Sequence, residues 1–196
     1  VGVNELTTSH IAFLDSDDIW VRDKLAIQEE LAMAGARAQG SGFFLHGVVQ
    51  DINAESVIET SQKTLRDLLS SNLLCNSSVL VEARLLRQIG GLPVSYAVRG
   101  IEDYAAWLRI AYVTPWTFLE SPLVQYSDVP ETSMRGTNHF SVPEDVLALW
   151  DFAAWLKEQG HRVPLMARLG VKVGNYLLQH WAARQTRALP TESIEN

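Results

Sequence analysis

This chain has one cysteine, Cys75, and therefore no means of closing a disulfide within itself. A lone thiol fits a reducing compartment. Nowhere do roughly 18 apolar residues run together, which excludes a hydrophobic bilayer-spanning helix. No charged-then-apolar leader opens the sequence, so the expected location is cytoplasmic, in solution or against the cytoplasmic face of a membrane. Positive charge is scarce: 16 Lys and Arg against 23 Asp and Glu leave a net charge of −7. A general nucleic-acid binder needs a basic footprint, so nucleic acid is excluded as a partner. Internal repeats and low-complexity tracts are absent. One further absence is local. From Gln159 to Thr191 there is no acidic residue, and Arg162, Arg168, Lys172, Arg184 and Arg187 give that stretch +5. The remainder, with 11 basic and 23 acidic residues, stands at −12.

A hydrophobic content of 47% against 20% charged residues, with six Trp, six Phe and five Tyr, is that of a folded globular protein. The 196 residues suffice for one domain and an appendage. The apolar run His10-Ile11-Ala12-Phe13-Leu14 breaks into Asp15-Ser16-Asp17-Asp18, the pattern of a buried strand opening into a polar loop. Helical composition follows from Arg22 to Ala38, with Gly35 and Gly40 at its end. Strands are predicted over Gly42 to Gln50, at Val57-Ile58, and over Ser77 to Val81. Thr64 caps a short helix over Leu65, Leu68 and Leu69. Glu82 to Ile89 is a helix closed by Gly90-Gly91, and Ile101 to Tyr112 another, with Trp107, Ile110 and Ala111 on one face. Phe118-Leu119 and Leu123 to Tyr126 are a predicted strand pair around Pro122. Residues 127–143 are the best loop and lid candidate, and Glu144 to Gln159 and Leu165 to Arg187 are helices. Alternating helices and strands make the class α/β.

Two acidic features carry the candidate chemistry. Asp15 and Asp17, at the end of an apolar strand and separated by small Ser16, can both reach one hard divalent cation, which prefers oxygen ligands and keeps positions open for phosphate. Equally, Asp17 or Asp18 serves as a cap of the next helix, since carboxylates complement a helix N-terminus. An EF-hand loop is excluded because Ile19 and Trp20 stand where acids and Gly are required. A haloacid-dehalogenase-like phosphatase, with Asp15 as nucleophile, stays open as an alternative, although Asp18-Ile19 replaces the usual Gly-Thr continuation. The second feature is Glu102-Asp103 at the head of a helix. Such acids are commonly caps, but a transferase also needs a carboxylate base opposite its leaving group.

In combination these segments resemble the family 2 glycosyltransferases of GT-A fold. The resemblance rests on Ile11-Ala12-Phe13-Leu14-Asp15-Ser16-Asp17-Asp18-Ile19-Trp20 with Asp23-Lys24-Leu25, on Ser77 to Val81, and on Ile89-Gly90-Gly91-Leu92. It continues through Glu102-Asp103-Tyr104, Trp107-Leu108-Arg109 and Pro122 to Tyr126, in order over residues 1–126. It implies a Rossmann-like mixed sheet and transfer of a sugar, with inversion, from a nucleotide-diphosphate donor to a saccharide or lipid-linked acceptor. Surface polysaccharide or glycolipid synthesis is the implied setting. Asp15 and Asp17 become the Asp-x-Asp pair that binds the donor through Mn²⁺ or Mg²⁺, with Asp17 the direct ligand and Asp15 nearer the donor ribose or the metal's waters. Asp103 becomes the catalytic base, and Glu102 an acceptor-positioning or capping residue. Trp107 is expected in the core.

The family's N-terminal nucleotide-binding strands have no counterpart here, so the expectation is a truncated GT-A domain over 1–126, a loop over 127–143 and a helical extension over 144–196. His139 and Asp128 match no family position. The helix from Leu165 to Arg187 has an apolar stripe and a basic one, which suits a partner helix, a homodimer or an anionic membrane surface. A non-catalytic truncated binding module is the remaining alternative.

Overall fold

The computed structural model describes residues 5, 7–45, 59–127, 143–169 and 172. Its strands are β1 (His10–Ala12), β2 (Ile19–Trp20), β3 (Ala38–Leu45), β4 (Thr60–Lys63), β5 (Leu80–Glu82) and β6 (Trp116–Tyr126). Its helices are α1 (Lys24–Met33), α2 (Leu65–Ser70), α3 (Ala83–Gln88), α4 (Glu102–Val113) and α5 (Glu144–Glu158). The strands make one sheet in the order β1, β5, β3, β6, β2, with β4 also pairing β6. β5 runs antiparallel to both β1 and β3, whereas β3 and β6 are parallel. This is the mixed α/β sheet expected from the sequence.

β6 organises the sheet. Its first half pairs β4 and its second half pairs β2, both antiparallel, on the edge away from β3. Two strands around Pro122 were expected, but a single strand of 11 residues passes through that proline. Pro122 lacks an N–H, and it lies where the β3 register shifts between Ser41, Gly42 and Phe43. A bulge absorbs such a residue without ending the strand. Gly42 permits the close approach, since a Cβ there would meet Glu120 O at 3.2 Å.

Helices cover both faces of β6. Leu119 and Leu123 pack with Ile27 and Leu31 of α1. Trp116 and Phe118, of opposite parity along the strand, join the main core with α2, α3, α4 and α5. That core contains Leu68, Leu85, Trp107, Ile110, Phe152 and Leu156, so α5 shares it with the strands and with α4. Arg109 of α4 and Asp151 of α5 form an ion pair of 2.6 Å inside the contact, each side chain only 10% exposed.

Several boundaries differ from the sequence-based expectation. α1 stops at Met33 because Gly35 takes φ +100° and the chain reverses, with Ala36 N–H donating to Leu31 O at 2.9 Å. Only glycine adopts that conformation without strain, and β3 can then begin at Ala38. Ser77 and Ser78 are not strand residues: Asn76–Ser78 is a 3₁₀ turn, and β5 starts at Leu80. β1 is half-buried rather than buried, pairs β5 alone among the described residues, and leaves Leu14 50% exposed. Thr64 does open α2, its N–H and hydroxyl each donating to Asp67 Oδ2 at 2.7 Å. The expected strand at Val57-Ile58, the end of the strand expected to reach Gln50, most of the 127–143 loop, and the helix beyond residue 172 lie outside the described residues.

Candidate functional site

β1 and Phe13 deliver the chain into the acidic turn at one end of the sheet. Phe13 packs edge-on against Trp107 with ring centroids 5.2 Å apart, and Trp107 packs likewise against Trp116 at 5.3 Å. Both tryptophans are fully buried, as expected for Trp107. Phe13 lies two residues before Asp15, and Trp107 four after Asp103. One aromatic ladder therefore fixes the acidic turn relative to the start of α4.

Within the turn the three aspartates take different environments. Asp17 is exposed, Asp15 half-buried and Asp18 buried. Asp18 N–H closes the turn on Asp15 O at 3.2 Å. Asp18 Oδ1 accepts from Ser127 N–H at 2.9 Å, which ties the turn to the residue just after β6. Asp18 Oδ2 is buried without a hydrogen-bond partner among the described residues. Neither Asp17 nor Asp18 caps a helix. α1 begins at Lys24, after Asp23, with no side-chain cap bond. The capping explanation of the Asp15–Asp18 motif therefore fails.

The 3₁₀ turn Asn76–Ser78 holds Asp15 from the other side. Ser77 Oγ accepts from Asp15 N–H at 2.9 Å, and Asn76 Nδ2 donates to Asp15 Oδ1 at 2.7 Å. That turn is itself braced. Trp20 Nε1 donates to Ser77 O at 2.7 Å and Gln28 Nε2 to Ser78 O at 2.9 Å. Lys24, fully buried, donates to Gln28 Oε1 at 2.6 Å and lies 4.4 Å from the Trp20 ring centroid. Burial pulls the Lys24 pKa down to about 8 and pushes the nearby Cys75 thiol up to about 12.

Burial raises the Asp15 pKa above the ordinary 3.8; the Asn76 hydrogen bond opposes it, and the charges of Asp18, Asp17 and Glu102 reinforce it. The Glu102 charge, 87 positions away in sequence, makes the smallest of these contributions. Glu102 Oε2 accepts the Gly100 N–H, so this carboxylate also secures the turn entering α4. Asp103 is half-buried, with Oδ1 accepting from Tyr104 N–H at 2.7 Å. Arg109, in the same sequence block, faces away into its pair with Asp151. His139 and Asp128 lie outside the described residues.

Asn76, Ser77, Trp20, Lys24 and Gln28 were not singled out as site residues from sequence. The available signal was the run Asn76-Ser77-Ser78, whose short polar side chains favour turns over strands.

The residues present suit a hard divalent cation. Asp15 is a carboxylate whose charge is disfavoured by burial and by three neighbouring acids, and an added cation relieves both. Among the described residues no three His, Cys, Asp or Glu side chains converge on a single metal position. One or two carboxylates completed by phosphate oxygens and water is the coordination Mg²⁺ commonly takes.

No protein-family model matches the chain. Over 104 residues it is 33% identical to the UDP-Glc:alpha-D-GlcNAc-diphosphoundecaprenol beta-1,3-glucosyltransferase WfgD of Escherichia coli, covering 51% of this chain and 37% of that protein. Among solved structures it resembles S. aureus TarS 1–349 in complex with UDP-GlcNAc, at a TM-score of 0.54 and 15% identity over 98% of this chain and 54% of that one. A second crystal structure of S. aureus TarS gives 0.53 and 13% identity, over 98% of this chain and 32% of that one. The chain thus spans about a third to a half of the proteins it matches. Its mixed α/β fold is that of the TarS structures, and its sequence is glycosyltransferase-like.

Proposed function

We propose that this chain forms the metal- and acceptor-facing side of a glycosyltransferase centre of the inverting, family 2 GT-A type. It acts on a nucleotide-diphosphate sugar, with an acceptor hydroxyl on a saccharide or lipid-linked carrier, in polysaccharide or glycolipid synthesis. The observation that carries this reading is the aromatic contact by which Phe13, two residues before Asp15, packs on Trp107, four residues after Asp103, setting the Asp15-Ser16-Asp17 turn against the start of α4. The likeness to WfgD, named for a UDP-Glc donor and a diphosphoundecaprenol-linked acceptor, supports the substrate classes. Residues 1–126 supply the catalytic part.

Asp17, exposed, would be the direct ligand of Mn²⁺ or Mg²⁺, and Asp15, oriented by Asn76 and Ser77, would serve the donor ribose or the waters of the metal. When bound, the ion supplies Lewis acidity that stabilises charge on the departing nucleoside diphosphate. Asp103 removes the acceptor hydroxyl proton as that oxygen attacks the anomeric carbon from the opposite face. Glu102 orients the acceptor with the oxygen not engaged by Gly100.

The test is Asp103→Asn. Sugar transfer from a panel of UDP-sugars falls about a thousandfold, while UDP binding by calorimetry in Mn²⁺ is unchanged. Retained transfer refutes the base assignment. Equal UDP binding in Mn²⁺ and in EDTA refutes the metal assignment.

A further inference from the structure

A second charged feature lies away from the acidic turn. The end of α5 and the segment after it enclose a cavity of about 470 Å³ lined by Lys157, His161, Arg162, Val163, Arg168 and Lys172. Four of these six carry fixed positive charge, and among the described residues no carboxylate lines the cavity. Like charges converging on one concavity repel, and an anion relieves the repulsion. All five cationic or titratable side chains are exposed.

Beside the cavity the chain presents apolar surface. Leu165, Met166 and Leu169 are 71%, 52% and 50% exposed, on one helical turn spanning 165–169. The turn is anchored rather than free. Ala167 and Val163 are in the main core, and Arg168 Nε donates to Val163 O at 2.9 Å. A fixed basic concavity flanked by protruding Leu and Met side chains combines the two attractions of an anionic bilayer, headgroup phosphate and an apolar interior.

We propose that this face docks on an anionic lipid surface, with headgroup phosphates seated among Lys157, Arg162, Arg168 and Lys172, and Leu165, Met166 and Leu169 entering the acyl boundary. The four cations of this face stand out against a net charge of −7 for the whole sequence. No helix among the described residues is long and apolar enough to cross a membrane.

Vesicle sedimentation tests this without reference to sugar transfer. The protein binds phosphatidylglycerol-containing vesicles, binds pure phosphatidylcholine at least tenfold more weakly, and dissociates as salt rises. Replacing Lys157, Arg162 and Lys172 together by Ala lowers the affinity about a hundredfold, each charge contributing about fivefold. Arg168 is spared because it holds Val163. The separate variant Leu165→Ser/Met166→Ser/Leu169→Ser also weakens binding, and circular dichroism of both variants matches the parent. Equal binding to both lipids, or an unchanged affinity in either variant, overturns the proposal. So does saturable binding of inorganic pyrophosphate with no vesicle binding, which assigns the cavity to a soluble phosphate ligand. A concentration-dependent dimer lost in the Ser variant, again without vesicle binding, assigns the apolar face to a second copy of the chain.

Discussion

The rings of Phe13 and Trp107 meet edge to face at a centroid distance of 5.2 Å, and through that contact the turn bearing Asp15 is set against the helix bearing Asp103. Trp107 and Trp116 leave their indole N–H groups without partners among the described residues, so the ladder is held by packing. Its geometry is specific, because edge-on aromatic pairs contribute about 0.5–1.5 kcal/mol beyond buried area. Phe13→Ala is expected to destabilise the fold by about 2–3 kcal/mol, less than a fully buried Phe because Phe13 is only half-buried. Phe13→Leu keeps most of the area and costs about 1 kcal/mol. Urea unfolding reads both. If Phe13→Leu impairs transfer no more than an equally destabilising core change elsewhere, the ladder does not position the acids.

Asn76 makes the side-chain bond that favours the charged form of Asp15 against burial and three nearby acids. With Asn76→Ala the Asp15 pKa rises further. On the proposed metal assignment, Mn²⁺ affinity falls about tenfold, the equivalent of about 1.4 kcal/mol for a hydrogen bond to a charged group. The loss is greatest in the acid range, where protons compete with the cation. The parent protein shows the same competition at lower pH. A folded pKa above the unfolded value also means that, without metal, Asp15 favours the fold below 3.8 and loses that contribution as pH rises through its raised pKa. Calorimetric Mn²⁺ titrations of parent and variant across pH 4–7 check the shift; superimposable profiles refute it.

Sequence alone placed Asp15 and Asp17 in a turn after a strand and Glu102 and Asp103 at the head of a helix, because each acidic group interrupts an apolar or helical pattern at an element boundary. It also located α4 and α5, whose apolar spacing is regular. It did not reveal the Asn76–Ser78 turn, since Ser77-Ser78 merges into the β-branched run that follows and only the hydrogen bonds to Asp15 distinguish them. Nor did it reveal β2, two residues long, which exists because β6 supplies a partner for Ile19 and Trp20. The late end assigned to α1 shows the same limit. Leu, Ala, Glu and Gln favour helix throughout that region, and the left-handed Gly35 overrides them.

Lys24 supplies a stability signature at alkaline pH. It is fully buried, its charge compensated by Gln28 Oε1 and the face of Trp20 and by no carboxylate within salt-bridge distance among the described residues. Its pKa falls from 10.5 to about 8, so the folded state releases this proton more readily than the unfolded chain. Stability is therefore expected to rise with pH from about 8 toward 10.5 for this group, against the usual alkaline decline. Lys24→Met removes the buried charge, and its thermal midpoint lacks that rise. The difference between parent and variant midpoints across pH 7–10 isolates the effect, and a constant difference refutes the assignment.

The Arg109–Asp151 pair separates anchoring of α5 from the chemistry of the acidic turn. Its atoms lie 2.6 Å apart, Arg109 Nη1 also donates to Ile89 O at 3.4 Å, and the guanidinium carbon stands 5.6 Å from the Trp155 ring centroid. Removing one partner leaves the other charged and enclosed, which costs about 3–5 kcal/mol. Asp151→Ala is therefore expected to lower the thermal midpoint by about 10 °C, at roughly 2–4 °C per kcal/mol for a chain of this size. Arg109→Met/Asp151→Leu removes both charges and recovers most of the loss, since apolar replacements of similar volume avoid the desolvation cost. Because Arg109 points into this contact, nucleotide and Mn²⁺ binding by the double variant equals that of the parent below its melting range. A large loss of nucleotide affinity in a folded double variant instead places Arg109 among the ligand-binding groups, where a guanidinium is suited to phosphate.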